Sequence, residues 1–268
     1  RRARMKLRRI KIGPIETENN VFLAPLAGYT NYPFRRLCER YGAGLTFTEM
    51  VSAKGLKYGS ENTKELLYTT PLETPLAAQL FGREPDVMRA ACESEALAPF
   101  PVVDINMGCP VRKVTSNGEG SSLMRDPEKA AAVTAAAVEG ADGRMPVTVK
   151  IRAGWDSAHM NAPEVARAVE AAGAAALCVH ARTREQLYAP GIAPDVIARV
   201  KEAVTVPVFG NGDITTADDA MNMKKATGCD GVGIARGAIG DPWLFGRIAA
   251  AFDGRDFTEP TPEERLLQ

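Results

Sequence analysis

The sequence predicts an α/β protein built as one TIM-type (β/α)8 barrel, on three observations. Its 268 residues are close to the roughly 250 typical of that fold. Eight short apolar runs, each ending in turn residues, alternate with segments of helical period. The first of those turns reads "APLAGYTNYPF" and lacks the GxGxxG of a doubly wound dinucleotide-binding sheet, so strand and helix repeated eight times point to closure.

Taken in order, the runs are "NVFLAPLAG", "LTFTEMV", "PLAAQLFG", "PVVDINMG", "PVTVKIRAG", "ALCVHART", "VPVFGNGD" and "GVGIARG". The helical segments between them are "PFRRLCERYGA", "DPEKAAAVTAAAVEGA", "NAPEVARAVEAAGA", "PDVIARVKEAV" and "TTADDAMNMKKATG". Asp126 before Pro127 reads as an N-cap, and Thr216 with Asp219 as a second helix start. Gly140, Gly173 and Gly228 read as helix-closing glycines. The expected domains are a basic leader over 1–11, the barrel over 12–255, and, over 256–268, the start of a helical domain cut short inside "PEERLLQ". Met5 is the expected natural start.

Composition excludes several classes. Hydrophobic residues make up 45% and charged residues 25%, enough to bury a core and against disorder. No apolar run reaches the roughly 18 to 20 residues a membrane helix needs, and no apolar segment behind the N-terminal charges resembles a signal peptide, so the cytoplasm is expected. Five scattered cysteines without a CxxC pair argue for reduced thiols and against a zinc site. Basic and acidic residues balance at 33 each, yet "RRARMKLRRIK" concentrates seven cations in eleven positions; it reads equally as a nucleic-acid contact or a frayed leader.

Side chains alternate along a strand, which sorts the barrel interior from the helix-facing side. Thr148, Lys150 and Arg152 then share one face, as do Cys178, His180 and Arg182, and Asp104 with Asn106. Four neighbouring strands therefore each offer a polar residue near the C-terminal end, where barrel active sites are built: Gln79, Asn106, Lys150 and His180. The last two strands end in "FGNGD" and "IARGAIGDPW", glycine-containing loops at the usual phosphate site of the fold, with Arg236 adding a fixed charge. A ligand with one phosphate, held at Gly212 and Arg236, and a polar ring fits; flavin mononucleotide (FMN) matches. Lys150 would then stabilise the anionic reduced flavin.

The motifs "APLAGYTNYPFR", "AAQLFG", "DINMGCPVRKVTSNGEGSSLMRDP", "VKIRAGWD", "HARTREQLY", "GNGDI" and "GIARGAIGDPWLF" resemble, in order, those of the bacterial tRNA-dihydrouridine synthases, from about Ile12 to Phe245. The resemblance implies an enzyme that reduces the C5–C6 double bond of particular uridines in tRNA, with bound FMN charged by NADPH. Hydride would pass from flavin N5 to C6 of a flipped-out uracil, and the cysteine of "GCP", Cys109, would protonate C5. Cofactor contacts implied are Pro25, Leu26, Ala27, Gln79, Lys150, His180, Asn211, Gly212, Asp213, Ala235 and Arg236. Asn106 would lie close to uracil and ring, and Arg182 would help bind the base or its backbone. Arg112, Lys113 and Arg184 are candidate phosphate contacts. Ala181 stands where the family commonly has glycine. The expected partner is tRNA, with no membrane and no obligate protein partner; a fragment without the helical domain is expected to bind flavin but to handle tRNA poorly. Two rival readings stay open: a flavin barrel acting on free pyrimidines, and a non-catalytic RNA-binding barrel.

Overall fold

A computed structural model describes residues 6–73 and 75–266. Eight parallel strands form the barrel: β1 Val21–Leu23, β2 Thr46–Phe47, β3 Leu76–Phe81, β4 Val102–Met107, β5 Val147–Gly154, β6 Ala176–Thr183, β7 Val208–Asn211 and β8 Gly231–Ile234. Each lies in one of the eight apolar runs. Along the sheet the order is β1-β8-β7-β6-β5-β4-β3-β2. Main-chain bonds from Leu23 N to Leu45 O (2.9 Å) and from Gly44 N to Val21 O (2.8 Å) close the seam between β1 and β2. A two-residue strand, Val51–Ser52, adds to the C-terminal end of β3.

The helices are α1 Tyr32–Arg40, α2 Ala53–Lys57, α3 Glu61–Leu66, α4 Pro85–Cys92, α5 Arg112–Thr115, α6 Pro127–Ala141, α7 Ala162–Ala171, α8 Pro194–Ala203, α9 Ala217–Thr227, α10 Leu244–Asp253 and α11 Pro262–Leu266. Asp126 caps α6 by accepting from Lys129 N at 3.0 Å. Thr216 and Asp219 form a reciprocal capping box on α9, with bonds of 3.1 and 2.8 Å. Gly173 and Gly228 take left-handed φ values of +102° and +67° after α7 and α9. Gly140 differs: it lies inside α6, and the left-handed cap is Asp142 at φ +47°. What Gly140 provides is close approach, because a Cβ there would stand 2.3 Å from Arg89 O on α4.

Two apolar layers result. Outside the barrel, the odd-parity strand residues such as Val103, Ile105, Val149 and Ile151 pack against the helices. Inside, Phe22, Phe47, Ala77, Val102, Ala176 and Phe209 fill the lower half together with Ile10 and Ile12. Ile12 belongs to a short hairpin, Lys11–Ile12 with Ile15–Glu16, that plugs the N-terminal end, and Ile10 directly precedes it. The described part of the basic leader is therefore built into the barrel. Arg8 pairs with Asp230 at 3.1 Å and Arg9 with Glu16 at 3.3 Å, at the end opposite the polar strand tips. Residues 1–5, including Met5, lie outside the described residues.

Candidate active site

Ladder register brings the polar residues together. Gln79 pairs laterally with Asp104, Asn106 with Lys150, Arg152 with His180, His180 with Asn211, and Asn211 with Gly233. All point inward above the apolar plug, because strand neighbours share side-chain direction at matched positions. Gln79, Asn106, Lys150, Arg152, His180 and Asn211 line one cavity at the C-terminal mouth with Pro25, Leu26, Ala27, Cys109, Ala235 and Arg236, while Asp104 and Gly233 lie beneath it.

On the β3–β4 side the cavity is wired by hydrogen bonds. Thr148 Oγ1 donates to Asp104 Oδ1 (2.6 Å) and Gln79 Nε2 to Asp104 Oδ2 (2.7 Å). Asn106 Nδ2 donates to Gln79 Oε1 (2.9 Å), while Asn106 Oδ1 accepts from Gly108 N (3.1 Å) and Cys109 N (2.8 Å). Cys109 O in turn accepts from Ser121 N and Ser121 Oγ. The peptide of Cys109 is gripped from both sides and its half-buried thiol is the end left at the cavity. Burial pushes that thiol above its ordinary pKa, against weaker downward pulls from the Val111 amide, Arg152 and Lys150.

Positive charge dominates the other side. Lys150 is half-buried, reaches Asn211 Oδ1 at 3.5 Å, and is lowered in pKa by burial. Arg152 is buried, donates to Gly108 O (2.7 Å), Thr183 O and Leu187 O (both 2.9 Å), and falls to about 10, again through burial. Burial, then Lys150, Arg152, Arg182 and Arg236, drive His180 far below the usual histidine range, so its ring is neutral. Arg182 Nη1 stands 3.3 Å from His180 Nε2, and since guanidinium only donates, Nε2 is the acceptor and the proton sits on Nδ1.

Two loops complete the mouth. Gly212 has φ +134° and Asp213 φ +48°, so the turn after β7 needs glycine at its first position. Asp213 bridges Arg182 (2.5 Å) and Arg236 (3.5 Å). Arg182 is 1% exposed and also donates to Ala189 O at 2.7 Å; the structure thus places it beneath the loop. Arg112 and Lys113 are exposed on α5, whereas Arg184 lies against the Trp155 ring (4.7 Å). Met50, Arg152 and Tyr188 also line the cavity, outside the set of site residues the sequence predicts. Arg152 was readable from the alternation in "VTVKIR". Tyr188 was not, because its position depends on a loop in which Leu187 takes φ +50° and is held by Arg152.

A family model described as dihydrouridine synthase matches residues 22–266. The chain belongs to the dihydrouridine synthase family. It is thus an oxidoreductase enzyme on a TIM barrel. A relative from Treponema pallidum, named probable tRNA-dihydrouridine synthase, is 41% identical over 265 residues, covering 96% of this chain and 78% of that one. The tRNA-dihydrouridine synthase B of Pseudomonas putida is 41% identical over 239 residues, 89% and 70% of the two chains. Among solved structures, histamine dehydrogenase from Rhizobium sp. 4-9 superposes with a TM-score of 0.70 at 15% identity, over 95% of this chain and 48% of that one. The old yellow enzyme homologue of Zymomonas mobilis gives 0.62 at 14% identity, over 96% and 95%. Both share the fold. No helix among the described residues is long and apolar enough to cross a membrane.

Proposed function

We propose that this member of the family reduces the C5–C6 double bond of uridines in tRNA, in the cytoplasm, with FMN as bound cofactor and NADPH as reductant. The observation that carries the reading is one cavity that joins a proton-bearing thiol, Cys109, to a cation-rich pocket. Relatives at 41% identity carry the same activity in their names.

The residues present fit a flavin. Lys150 offers a half-buried ammonium facing an amide oxygen, Asn211 Oδ1, in place of a carboxylate. Gly212, in a conformation only glycine takes easily, lets the β7 loop bring its main chain close to a ligand beside Arg236. Pro25, Leu26, Ala27, Gln79, His180, Asn211, Asp213 and Ala235 complete the cofactor set, with Asp213 and Arg182 buttressing the phosphate loop from below. Such a cofactor, when bound, supplies the hydride. The chain's own contributions are orientation and the proton. Neutral His180 can hydrogen-bond without adding charge, Asn106 holds the Cys109 loop at the edge of the uracil site, and Cys109 Sγ–H donates to C5. Arg112, Lys113 and Arg184 face the phosphate backbone of a tRNA whose target base has left its stack. The segment from 256 onward, which we assign to tRNA binding, docks on α10 through Arg247 to Glu259 (2.6 Å).

The test is reconstitution. The purified protein with FMN should turn yellow and, given NADPH, convert uridine to dihydrouridine in unmodified tRNA, read by mass spectrometry of nucleosides. A product formed only from free uracil or uridine would overturn the reading.

A further inference from the structure

Two carboxylate residues are buried among the described residues, Glu73 and Asp104. Glu73 is matched by a bidentate pair with Arg35 (2.7 and 2.9 Å). Asp104 has instead two neutral donors, Gln79 and Thr148. An acid placed inside a barrel on amide and hydroxyl donors is a poor stabilising device, since burial disfavours its charge and an apolar residue would pack there at lower cost. Its use lies in direction.

An ionised carboxylate accepts and never donates. The NH2 of Gln79 must therefore face Asp104, which turns Gln79 Oε1 toward Asn106. Asn106 must present its NH2 to that oxygen, leaving Oδ1 for the main-chain N–H groups of Gly108 and Cys109. Turning either amide round sets donor against donor or acceptor against acceptor. Both ends of the relay thus demand the same orientation, and all its side chains are buried. Burial raises the Asp104 carboxyl to about 6, with Gln79, Thr148 and Lys150 pulling the other way, so it is the anion at neutral pH.

We propose that Asp104 is a positioning residue: through Gln79 and Asn106 its carboxylate fixes the Gly108–Cys109 main chain and so the place of the Cys109 thiol. The inference rests on the proposed role of Cys109 as proton donor. No group of the relay is itself transferred or consumed; it sets where the donor stands.

The experiment compares Asp104→Ala, Gln79→Met and Asp104→Asn with the wild type by two readouts: kcat per bound flavin at saturating tRNA, and the alkylation rate of Cys109 by iodoacetamide, resolved by peptide mass mapping. Loss of a hydrogen bond to a charged group should lower kcat roughly ten- to a hundred-fold in Asp104→Ala and Gln79→Met, with KM for tRNA little changed. The same two variants should shift Cys109 alkylation away from the wild-type rate. Asp104→Asn keeps an acceptor for Gln79 and a donor for Thr148, and should rescue both readouts. Wild-type kcat and alkylation in Asp104→Ala, or equal damage in Asp104→Asn and Asp104→Ala, would overturn the relay. If Asp104→Ala does not fold, the Cys109 alkylation rate of flavin-free Gln79→Met against flavin-free wild type decides, and a wild-type rate there overturns the relay. A wild-type protein that makes no dihydrouridine would sink the proposed function alone, since the alkylation readout tests the relay without turnover.

Discussion

Replacing Cys109 by alanine removes one half-buried sulfur from the cavity edge and leaves Lys150, His180 and both glycine-containing loops in place. Retention of flavin and a change in melting temperature of no more than a few degrees are therefore expected. The effect on chemistry should be large, because a positioned general acid contributes about 10² to 10⁴-fold, or about 2.7 to 5.5 kcal/mol of barrier. The structure favours full use of that range. A thiol at the ordinary pKa near 8.5 is only about 3% ionised at pH 7, and burial of Cys109 moves it further toward the protonated form. The assay is a single turnover: protein reduced in advance, mixed with unmodified tRNA, and sampled for dihydrouridine. An acid works only while it holds its proton, so the wild-type rate should be flat near neutrality and fall as pH rises through the elevated Cys109 pKa; the residual alanine rate should lack that limb. Two results would refute the reasoning: an alanine variant that keeps most of the single-turnover rate, or a wild-type rate that climbs between pH 7 and 9, the signature of a thiolate at work.

Lys150→Met should keep the protein able to bind flavin but make the bound flavin harder to reduce; loss of about 1.4 kcal/mol of anion stabilisation is roughly 30 mV in a two-electron potential, measurable by dye equilibration, and an unchanged potential would remove Lys150 from that role. Glu73→Ala strips the partner from Arg35, which is 1% exposed and also holds Thr30 O and Tyr68 O; breaking such a pair costs about 3 to 5 kcal/mol, and calorimetry should show a fall of roughly 6 to 20 °C. Gly140→Ala would gain about 1 kcal/mol of helix propensity on an open helix. Here the added Cβ meets Arg89 O at 2.3 Å, main chain that cannot swing aside, so a net loss in melting temperature is expected, and a gain would show that α4 and α6 can part freely.

How far the sequence disclosed this molecule follows from which signals are local. Strand positions are legible in all eight runs because burial on both faces writes an apolar run, α6 and α9 because their N-caps mark their starts, and α7 and α8 because a proline in the first turn opens an amphipathic stretch. Helix α4 was legible in hindsight: Pro85 at its first turn and buried Val87, Met88, Ala91 and Cys92 follow a helical stripe, but eight residues give a weak period. Gly140 misled because a glycine for close packing and a glycine for a left-handed cap look alike in sequence. Within the cavity, strand parity sufficed to bring Gln79, Asn106, Lys150 and His180 together. It did not show that Arg182 would be covered, since that depends on Asp213 and Ala189 O from two separate loops. The Asp104 relay was equally hidden: parity aimed the residue inward, yet its bonds to Gln79 and Thr148 depend on register across three strands.

The charge balance at the mouth ties these pieces to one kind of ligand. Burial first, and then Lys150, Arg152, Arg182 and Arg236, keep His180 neutral. Against them stand Asp104, below the cavity and bonded to neutral donors, and Asp213, which reaches only Arg182 and Arg236. The whole chain is neutral, with 33 charges of each sign, so the local excess of cations is a feature of the site and not of the protein. Unbalanced cations in a partly buried cleft repel one another and raise the energy of the free protein. A phosphate at the β7 and β8 loops and a ring that becomes anionic when reduced would each relieve part of that repulsion. Ligand affinity at this mouth should therefore weaken with added salt, and Arg236→Gln should reduce both the affinity for FMN and the steepness of that salt dependence. A variant that lost affinity but kept the wild-type salt slope would place Arg236 in packing rather than in charge neutralisation.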